Sequence, residues 1–279
     1  MPGDIDAFYR DNQQHIDQLV ASFTDYSPVS VDRSRVLAWL DQFPTDHWSL
    51  VLRLAQAIRY YGVGRVRELT RTLHGLLLQQ LSDDGVKLRD VFFVGLGRSG
   101  ESGQHVATFY RNANQLRARQ QQFLALSELP SALNAKKDNA AVVFLDDFVG
   151  TGSQMTQHWE NTLSQLVPEY LHLYLSIVAA CDEGIAHIQA HTPLTTLYVH
   201  PLGPNCRLRD ARNNTFTKQE KAIISNYCAK IGNMPMGYGR LGLTVSFAYA
   251  TPNNSISLIR GSRRQRPWTG LLPGWVDLP

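Results

Sequence analysis

The chain of 279 residues is 43% hydrophobic, 18% charged and 10% aromatic, with a formal net charge of +3. That balance excludes a disordered or collagen-like chain and supplies apolar surface for one sizeable core, or for a main domain with a helical appendage. The small charge excess makes no overall case for nucleic-acid binding, and no run of about 18 apolar residues offers a membrane span. Cys181, Cys206 and Cys228 are far apart in sequence and odd in number, which predicts free thiols in a reducing compartment. The opening MPGDIDAFYRDNQQH has no apolar h-region, so a secretory signal is not expected and a cytoplasmic location is.

Residues 1–82 have the grammar of helices. Asp4 to about Phe23 runs without a strong breaker, and Pro28 then interrupts. Ser30 or Asp32 is placed to cap a second helix running to Phe43, where Pro44 stops it. Thr45 is placed to cap a third, whose Trp48, Val51, Leu52, Leu54, Ala55 and Ile58 form a broad apolar face before Gly62 and Gly64. A fourth carries Val66, Leu69, Leu73, Leu76, Leu77 and Leu81 at spacings of three and four, a core-packing pattern.

At Asp90 the pattern changes. VFFVGL (91–96) is a continuous apolar run of the kind that forms a buried parallel strand. GRSGESG (97–103) is a polar, glycine-rich turn, and Gln104 to Gln115 reads as a helix. QFLALSEL (122–129) is a candidate second strand, with PSALNAKKDN as a loop behind it. AVVFLDD (141–147) is a further buried strand, FVGTGS its turn, and Gln154 to Leu166 the next helix. LHLYLSIVAA (171–180) predicts a strand, Gly184 to Ala190 a helix and TTLYVHPL (195–202) a strand. Strand, glycine turn and helix in alternation predict an α/β fold with a mostly parallel sheet and flanking helices.

The last third is less regular. Thr217 to Lys230 predicts a helix opened by a Thr217–Glu220 capping box. LGLTVSFAYA (241–250) is an apolar strand candidate, TPNN a turn, and SISLIR a segment placed to pair back. The expected organisation is an N-terminal helical region, 1–85, and an α/β domain, 86–279, ending in an irregular C-terminal hood.

One loop carries the chemistry. A buried strand ending in Asp146 and Asp147 delivers two carboxylates to the C-terminal edge of a parallel sheet, where ligands of open α/β folds bind. Gly150 and Gly152 permit a tight turn, Thr151 and Ser153 add hydroxyls, and the next helix starts there with free N–H groups, an anion site. Carboxylates accept from ribose hydroxyls and favour the positive charge that develops when an anomeric bond breaks.

This strand, acid pair and glycine-threonine-glycine turn resemble the phosphoribosyl diphosphate motif of type I phosphoribosyltransferases. The resemblance implies that Asp146 and Asp147 hold the ribose 2′ and 3′ hydroxyls and that Gly150, Thr151, Gly152 and Ser153 hold the 5-phosphate. It implies equally that Gly97, Arg98, Ser99 and Gly100, after the first strand, contact pyrophosphate, and that Mg2+ accompanies phosphoribosyl diphosphate or a nucleotide. Lys136 and Lys137 are candidates to reach the site from a loop, against the plainer reading of solvated surface lysines.

More of the chain is similar to a narrower group. VLAWLDQF, WSLVLRLAQAIRYY, GLGRSGESG, LDDFVGTGSQ and LGLTVSFAYATPNN resemble bacterial phosphoribosyltransferase-like effectors of conflict and antiviral systems, including those beside retron reverse transcriptases. That resemblance implies a toxin released during phage infection. Its implied partners are a reverse transcriptase with its RNA–DNA complex and a small winged-helix protein. In this setting Asn253 and Asn254 are candidate base or phosphate contacts, although Pro-Asn-Asn is also good turn chemistry.

Other constellations are weaker. His187 and His191 are four apart on a predicted helix, but no third metal ligand stands nearby. Gly97-Arg98-Ser99-Gly100-Glu101 lacks the second glycine of a nucleophile elbow. Arg111, Arg117 and Arg119, and Arg260, Arg263, Arg264 and Arg266, are basic stretches suited to phosphates or to a solvated surface. Three functions stay open at this level: an enzyme acting at the anomeric carbon of a ribose 5-phosphate, a non-catalytic nucleotide or phosphoribosyl diphosphate sensor, and a nucleic-acid-modifying toxin.

Overall fold

A computed structural model describes residues 2–97, 102–135, 140–168, 170–231, 234–262 and 268–274. Two compact units divide the chain: Met1–Val63 with Gly203–Pro279, and Gly64–Leu202. The boundary therefore falls at 63/64 and again at 202/203, not at 85/86.

The first unit opens with four helices and a short strand: α1 (Pro2–Asp11), α2 (Gln13–Ser22), α3 (Arg33–Leu40), α4 (Trp48–Gln56) and β1 (Arg59–Tyr61). The single helix expected over Asp4–Phe23 is two, because Asn12 leaves helical geometry at φ −119°, ψ 18°. Asp32, not Ser30, caps α3, its Oδ1 accepting from the Arg35 amide at 2.8 Å. Thr45 opens a 3-10 turn ahead of α4. Ile16, Val36, Trp39, Leu40 and Leu54 are fully buried in this unit's core.

The second unit holds α5 (Val63–Asp83), β2 (Val91–Gly95), α6 (Ser102–Ala113), β3 (Phe123–Leu124), α7 (Leu129–Asn134), β4 (Ala141–Val149), α8 (Ser153–Asn161), β5 (His172–Ala180), α9 (Asp182–His191) and β6 (Thr195–Pro201). The strands form one sheet in the order β3-β2-β4-β5-β6, and every pairing in it is parallel. The fold is α/β with a parallel sheet flanked by helices, as the alternating pattern requires. Alternation of side chains along the strands sends Val142, Phe144, Leu175 and Ile177 into one core with Met155, Trp159, Ile185 and Ile188 of α8 and α9. The opposite set includes Phe93, whose ring lies 5.5 Å from that of Tyr110 on α6.

Two expectations fail here for a local reason. The candidate strand 122–129 shrinks to Phe123–Leu124, and the loop after it begins as α7, because Pro130 sits in the first turn, where a missing N–H costs nothing. At the other end of the sheet, Tyr174 donates to Asp84, as does Gln80. Those hydrogen bonds hold the Asp84 carboxyl below its ordinary value. A depressed carboxyl stabilises the fold above its unfolded pKa, and the contribution disappears as pH falls through the folded one. Tyr174→Phe is expected to flatten the acid side of the stability–pH curve, below about pH 5. Urea unfolding at a series of pH values checks this; an unchanged slope contradicts it.

The chain then returns to the first unit with α10 (Lys218–Ile231), β7 (Val245–Phe247), α11 (Ser257–Arg260), β8 (Gly261–Ser262) and β9 (Trp268–Thr269). The expected capping box forms: Glu220 N donates to Thr217 Oγ1 at 3.2 Å and Thr217 N to Glu220 Oε2 at 2.8 Å. Only Val245–Phe247 of the expected strand 241–250 is extended, and it pairs in parallel with β1, Tyr60 opposite Ser246. SISLIR pairs back only at its start, through a parallel bridge of Ser255 to Leu243, and Ser257–Arg260 is the helical turn α11. Backbone carbonyls of this region bind the N-terminal helices: Trp39 Nε1 donates to Leu258 O at 3.1 Å and Arg35 Nε to Leu271 O at 3.0 Å. Trp39→Ala leaves a large void and an orphaned carbonyl, so a loss of about 3–5 kcal/mol is expected in denaturant unfolding. A loss under about 1 kcal/mol would mean the core is not packed this way.

All three cysteines are buried free thiols. Among the described residues no helix is long and apolar enough to cross a membrane.

Candidate active site

The strand order locates a crevice. From β2 the chain moves outward through α6 to β3, on one side. From β4 it moves through α8 to β5, on the other. The connections leaving the adjacent ends of β2 and β4 therefore diverge, which makes this pair the topological switch point of the sheet. The two strands also end at different heights. The last β2–β4 pair is Gly95 opposite Leu145, closed by Leu96 N donating to Leu145 O at 3.0 Å. On its other side β4 stays paired with β5 as far as Val149 opposite Ala180. Asp146 and Asp147 are the first two residues of β4 beyond β2, on the step so formed.

Their surroundings differ. Neighbouring residues of an extended strand project to opposite faces. Asp147 is 6% exposed, whereas Asp146 is half-buried. Asp146 Oδ1 accepts from the Asp147 amide at 2.9 Å, which orients its carboxyl along the end of the strand. The acid pair is thus one carboxylate on each side of a strand tip, not two side by side.

The turn Gly150–Ser153 has the form of an anion cradle. Gly152 precedes α8 at φ +81°, a left-handed conformation that other residues adopt only with strain. The N-cap Gly152 has no side chain to cap α8; Ser153 N donates to Thr151 Oγ1 at 3.4 Å, and the amides after it in the first turn are left for an external acceptor. Thr151 Oγ1 lies 3.2 Å from Ser153 Oγ and 3.4 Å from Ser153 N, placing both hydroxyls at that opening. From behind, Thr156 donates through N (3.0 Å) and Oγ1 (3.2 Å) to Gly152 O and fixes the turn.

A residue that sequence reasoning treats only as the start of a helix proves to belong to this turn. A Cβ on Gly184, in the first turn of α9, would meet Gly150 O at 2.2 Å and Val149 Cγ1 at 2.8 Å. A Cβ on Gly152 would meet Gly184 O at 2.5 Å. Backbone therefore packs directly on backbone, and α9 forms the rear wall of the cradle. The β2 exit is built alike: a Cβ on Gly103 would lie 2.2 Å from Leu96 O, and Gln104 Nε2 donates to Gly95 O at 2.7 Å. No pattern in the sequence distinguishes Gly184 or Gly103 from ordinary helix-start glycines, because the contact is made with a distant segment.

Of the expected pyrophosphate contacts, Gly97 is exposed at φ +89°, while Arg98, Ser99 and Gly100 lie outside the described residues, as do Lys136 and Lys137. Asn253 and Asn254 belong to the first unit, whereas the acid pair belongs to the second. Asn254 is 6% exposed and its Nδ2 donates to Tyr238 O at 2.9 Å; Asn253 O accepts from Arg260 Nη1 at 2.7 Å. In the structure these two residues hold a turn. The rings of His187 and His191 are tilted by 34° with centroids 4.3 Å apart, and among the described residues no three His, Cys, Asp or Glu side chains converge to hold a metal.

Comparison with known proteins bears on the same residues. A family model described as PRTase-CE matches residues 36–273. No curated protein matches the chain. Among solved structures, the crystal structure of TT1426 from Thermus thermophilus is similar at 14% identity and a TM-score of 0.26, over 51% of this chain and 85% of that one.

Proposed function

We propose, on the premise that the chain belongs to the phosphoribosyltransferase-like family PRTase-CE, that the crevice beyond β2 and β4 binds a phosphoribosyl group and acts at its anomeric carbon. The observation that carries this reading is the position of the Asp146–Asp147 pair at the switch point, with the uncapped turn Gly150–Ser153 following directly. A 5-phosphate fits the turn, since first-turn amides and two hydroxyls converge there on an acceptor of negative charge. The ribose then lies along the tip of β4, where the carboxylates accept from its 2′ and 3′ hydroxyls. The family motif assigns Gly97, Arg98, Ser99 and Gly100 to the pyrophosphate leaving group, the last three lying outside the described residues.

In the reaction the bond from C1 to the departing atom breaks, an oxygen of pyrophosphate or a nitrogen of a nucleotide base, and the electron pair leaves with that group. A bond from an incoming nucleophile to C1 replaces it. Positive charge develops on the ring between these events, and two fixed carboxylates in a partly buried crevice oppose it at full strength because they need no reorganisation. No covalent nucleophile is required. Hard carboxylate oxygens are suited to Mg2+. Asp146, the more exposed of the two acids, would hold it, with the pyrophosphate or nucleotide supplying the remaining oxygens. When bound, the cation supplies charge neutralisation on the leaving group.

We further place the protein as an effector of antiphage defence such as a retron, on the likeness of its helical start and late segments to such effectors. Calorimetric titration with phosphoribosyl diphosphate, followed by analysis of products, tests the reaction. Binding with turnover is expected. Binding without turnover supports a sensor that regulates a partner, and no binding defeats the reading. Growth arrest on expression, lost in a double Asp146, Asp147 variant, is expected for the effector role.

A further inference from the structure

The second unit carries arginines that the site above does not use. Residues 102–127 include Arg111, Arg117 and Arg119 and not one aspartate or glutamate. On α5, Arg67 and Arg71 are four apart and so share a face. The fold brings the two sets together. Asn114 Nδ2 donates to Thr70 O at 3.2 Å and ties the end of α6 to α5. Arg67 lies over the Phe109 ring at 5.6 Å. Arg71 Nε donates to Ala113 O at 3.4 Å, and Arg117 Nε to Asn112 Oδ1 at 3.2 Å. Arg111 lies over Phe123 at 5.8 Å, and Arg119 Nη1 reaches Gln122 Oε1 at 3.3 Å.

None of these five guanidiniums has a carboxylate partner among the described residues; the nearby Glu68 pairs with Arg65. Arg67, Arg71 and Arg117 are exposed. Arg67 lies with its guanidinium over a ring, and Arg71 and Arg117 each donate Nε to a neutral acceptor, which leaves their terminal nitrogens as open donors. Pre-positioned, unneutralised guanidiniums in a row are costly to assemble by mutual repulsion and match planar anions bidentately. The exposed apolar side chains of α5, Leu76 and Leu78 at 42% each, lie further along the helix beyond Arg71, so the arginine cluster itself lacks the hydrophobic centre of a protein interface.

We propose that this α5–α6 surface, centred on Arg67, Arg71 and Arg117 with Arg111 and Arg119 at its flank, binds the phosphate backbone of a nucleic acid. The inference is independent of the chemistry proposed at the acid pair. Salt is the discriminating variable, because neutralising Z phosphates of a single strand gives log K against log[salt] a slope of about −0.7Z.

The test is fluorescence anisotropy of the full chain with a labelled 20-nucleotide single-stranded DNA and its RNA counterpart, titrated from about 50 mM salt upward. The variant is Arg67→Gln/Arg71→Gln/Arg117→Gln. A control, Arg10→Gln/Arg209→Gln/Arg212→Gln, removes the same charge elsewhere. The patch variant is expected to bind at least about tenfold more weakly, with a slope smaller in magnitude by about 2, and the control to lose less than about twofold. Circular dichroism verifies folding. If the triple variant does not fold, Arg117→Gln alone is expected to reduce the slope by about 0.7. Three results overturn the proposal: no oligonucleotide binding by the wild-type chain at low salt, equal losses in variant and control, or capture of polyglutamate that an oligonucleotide does not displace.

Discussion

Asp146→Asn combined with Asp147→Asn is expected to lower turnover of phosphoribosyl diphosphate by about 10²–10³ or more, with the fold intact. Asparagine keeps the shape of each side chain, and its Oδ1 preserves the acceptor that Asp146 offers to the Asp147 amide at 2.9 Å. What disappears is the negative charge facing the ring, and fixed charge of this kind accounts for losses of about that size when one donor or acceptor is removed from a preorganised site. The single variants separate the roles. Asp147 is nearly fully buried and lies on the opposite side of the strand tip from Asp146. If both carboxylates contact the same ribose, each single variant lowers kcat/KM and the double variant loses less than the product of the two. Circular dichroism and thermal unfolding show whether the chain stays folded. Full activity in a folded double variant is the result that ends the mechanism.

Gly184→Ala is expected to remove phosphoribosyl diphosphate binding although Gly184 itself has no group to offer a ligand. The added methyl would be 2.2 Å from Gly150 O, and that contact is with backbone, which cannot swing aside as a long side chain does. Either α9 retreats from the sheet or the turn Gly150–Gly152 moves. A displaced turn no longer presents its amides and hydroxyls to one point, and misplacements of about 1 Å already cost about 10² in rate. Overpacking of this sort also costs about 1–3 kcal/mol of stability. Gly203→Ala is the control, since nothing lies within 4 Å of a Cβ there; its stability is expected to change by less than about 0.5 kcal/mol. Titration calorimetry and chemical unfolding on both variants decide the matter. Gly184→Ala with wild-type affinity and wild-type stability would mean that the two loops do not touch as described.

The elements that were legible in the sequence share a physical property. β2, β4 and β5 are buried along nearly their whole length, so they need continuous apolar runs, and such runs stand out, whereas β6 at the sheet edge is only partly buried. Amphipathic α5 and the capping box of α10 are equally local signals. The elements that were missed or came out much shorter than expected are β1, which was not expected, and β3 and β7, expected as longer strands over 122–129 and 241–250. β1, β3 and β7 span two or three residues, too few to show a period, and they exist because a neighbour offers hydrogen bonds. The helical turn at Ser257–Arg260 replaced an expected strand for the same reason, its place being set by Trp39 and Pro235 donating to or accepting from its backbone.

From the order of residues alone follow the α/β class, the two acids at a strand end and the glycine turn after them, because each depends on neighbours within a dozen residues. The tertiary structure alone decided that β2 and β4 are adjacent with diverging connections, that the C-terminal segment joins the N-terminal helices, that the paired acids straddle a strand tip, and that Gly184 packs directly on the turn Gly150–Gly152. Those four depend on contacts between segments far apart in the chain. Local propensity carries no record of such contacts; they arise only when apolar faces are buried together and the backbone must fit the space that remains.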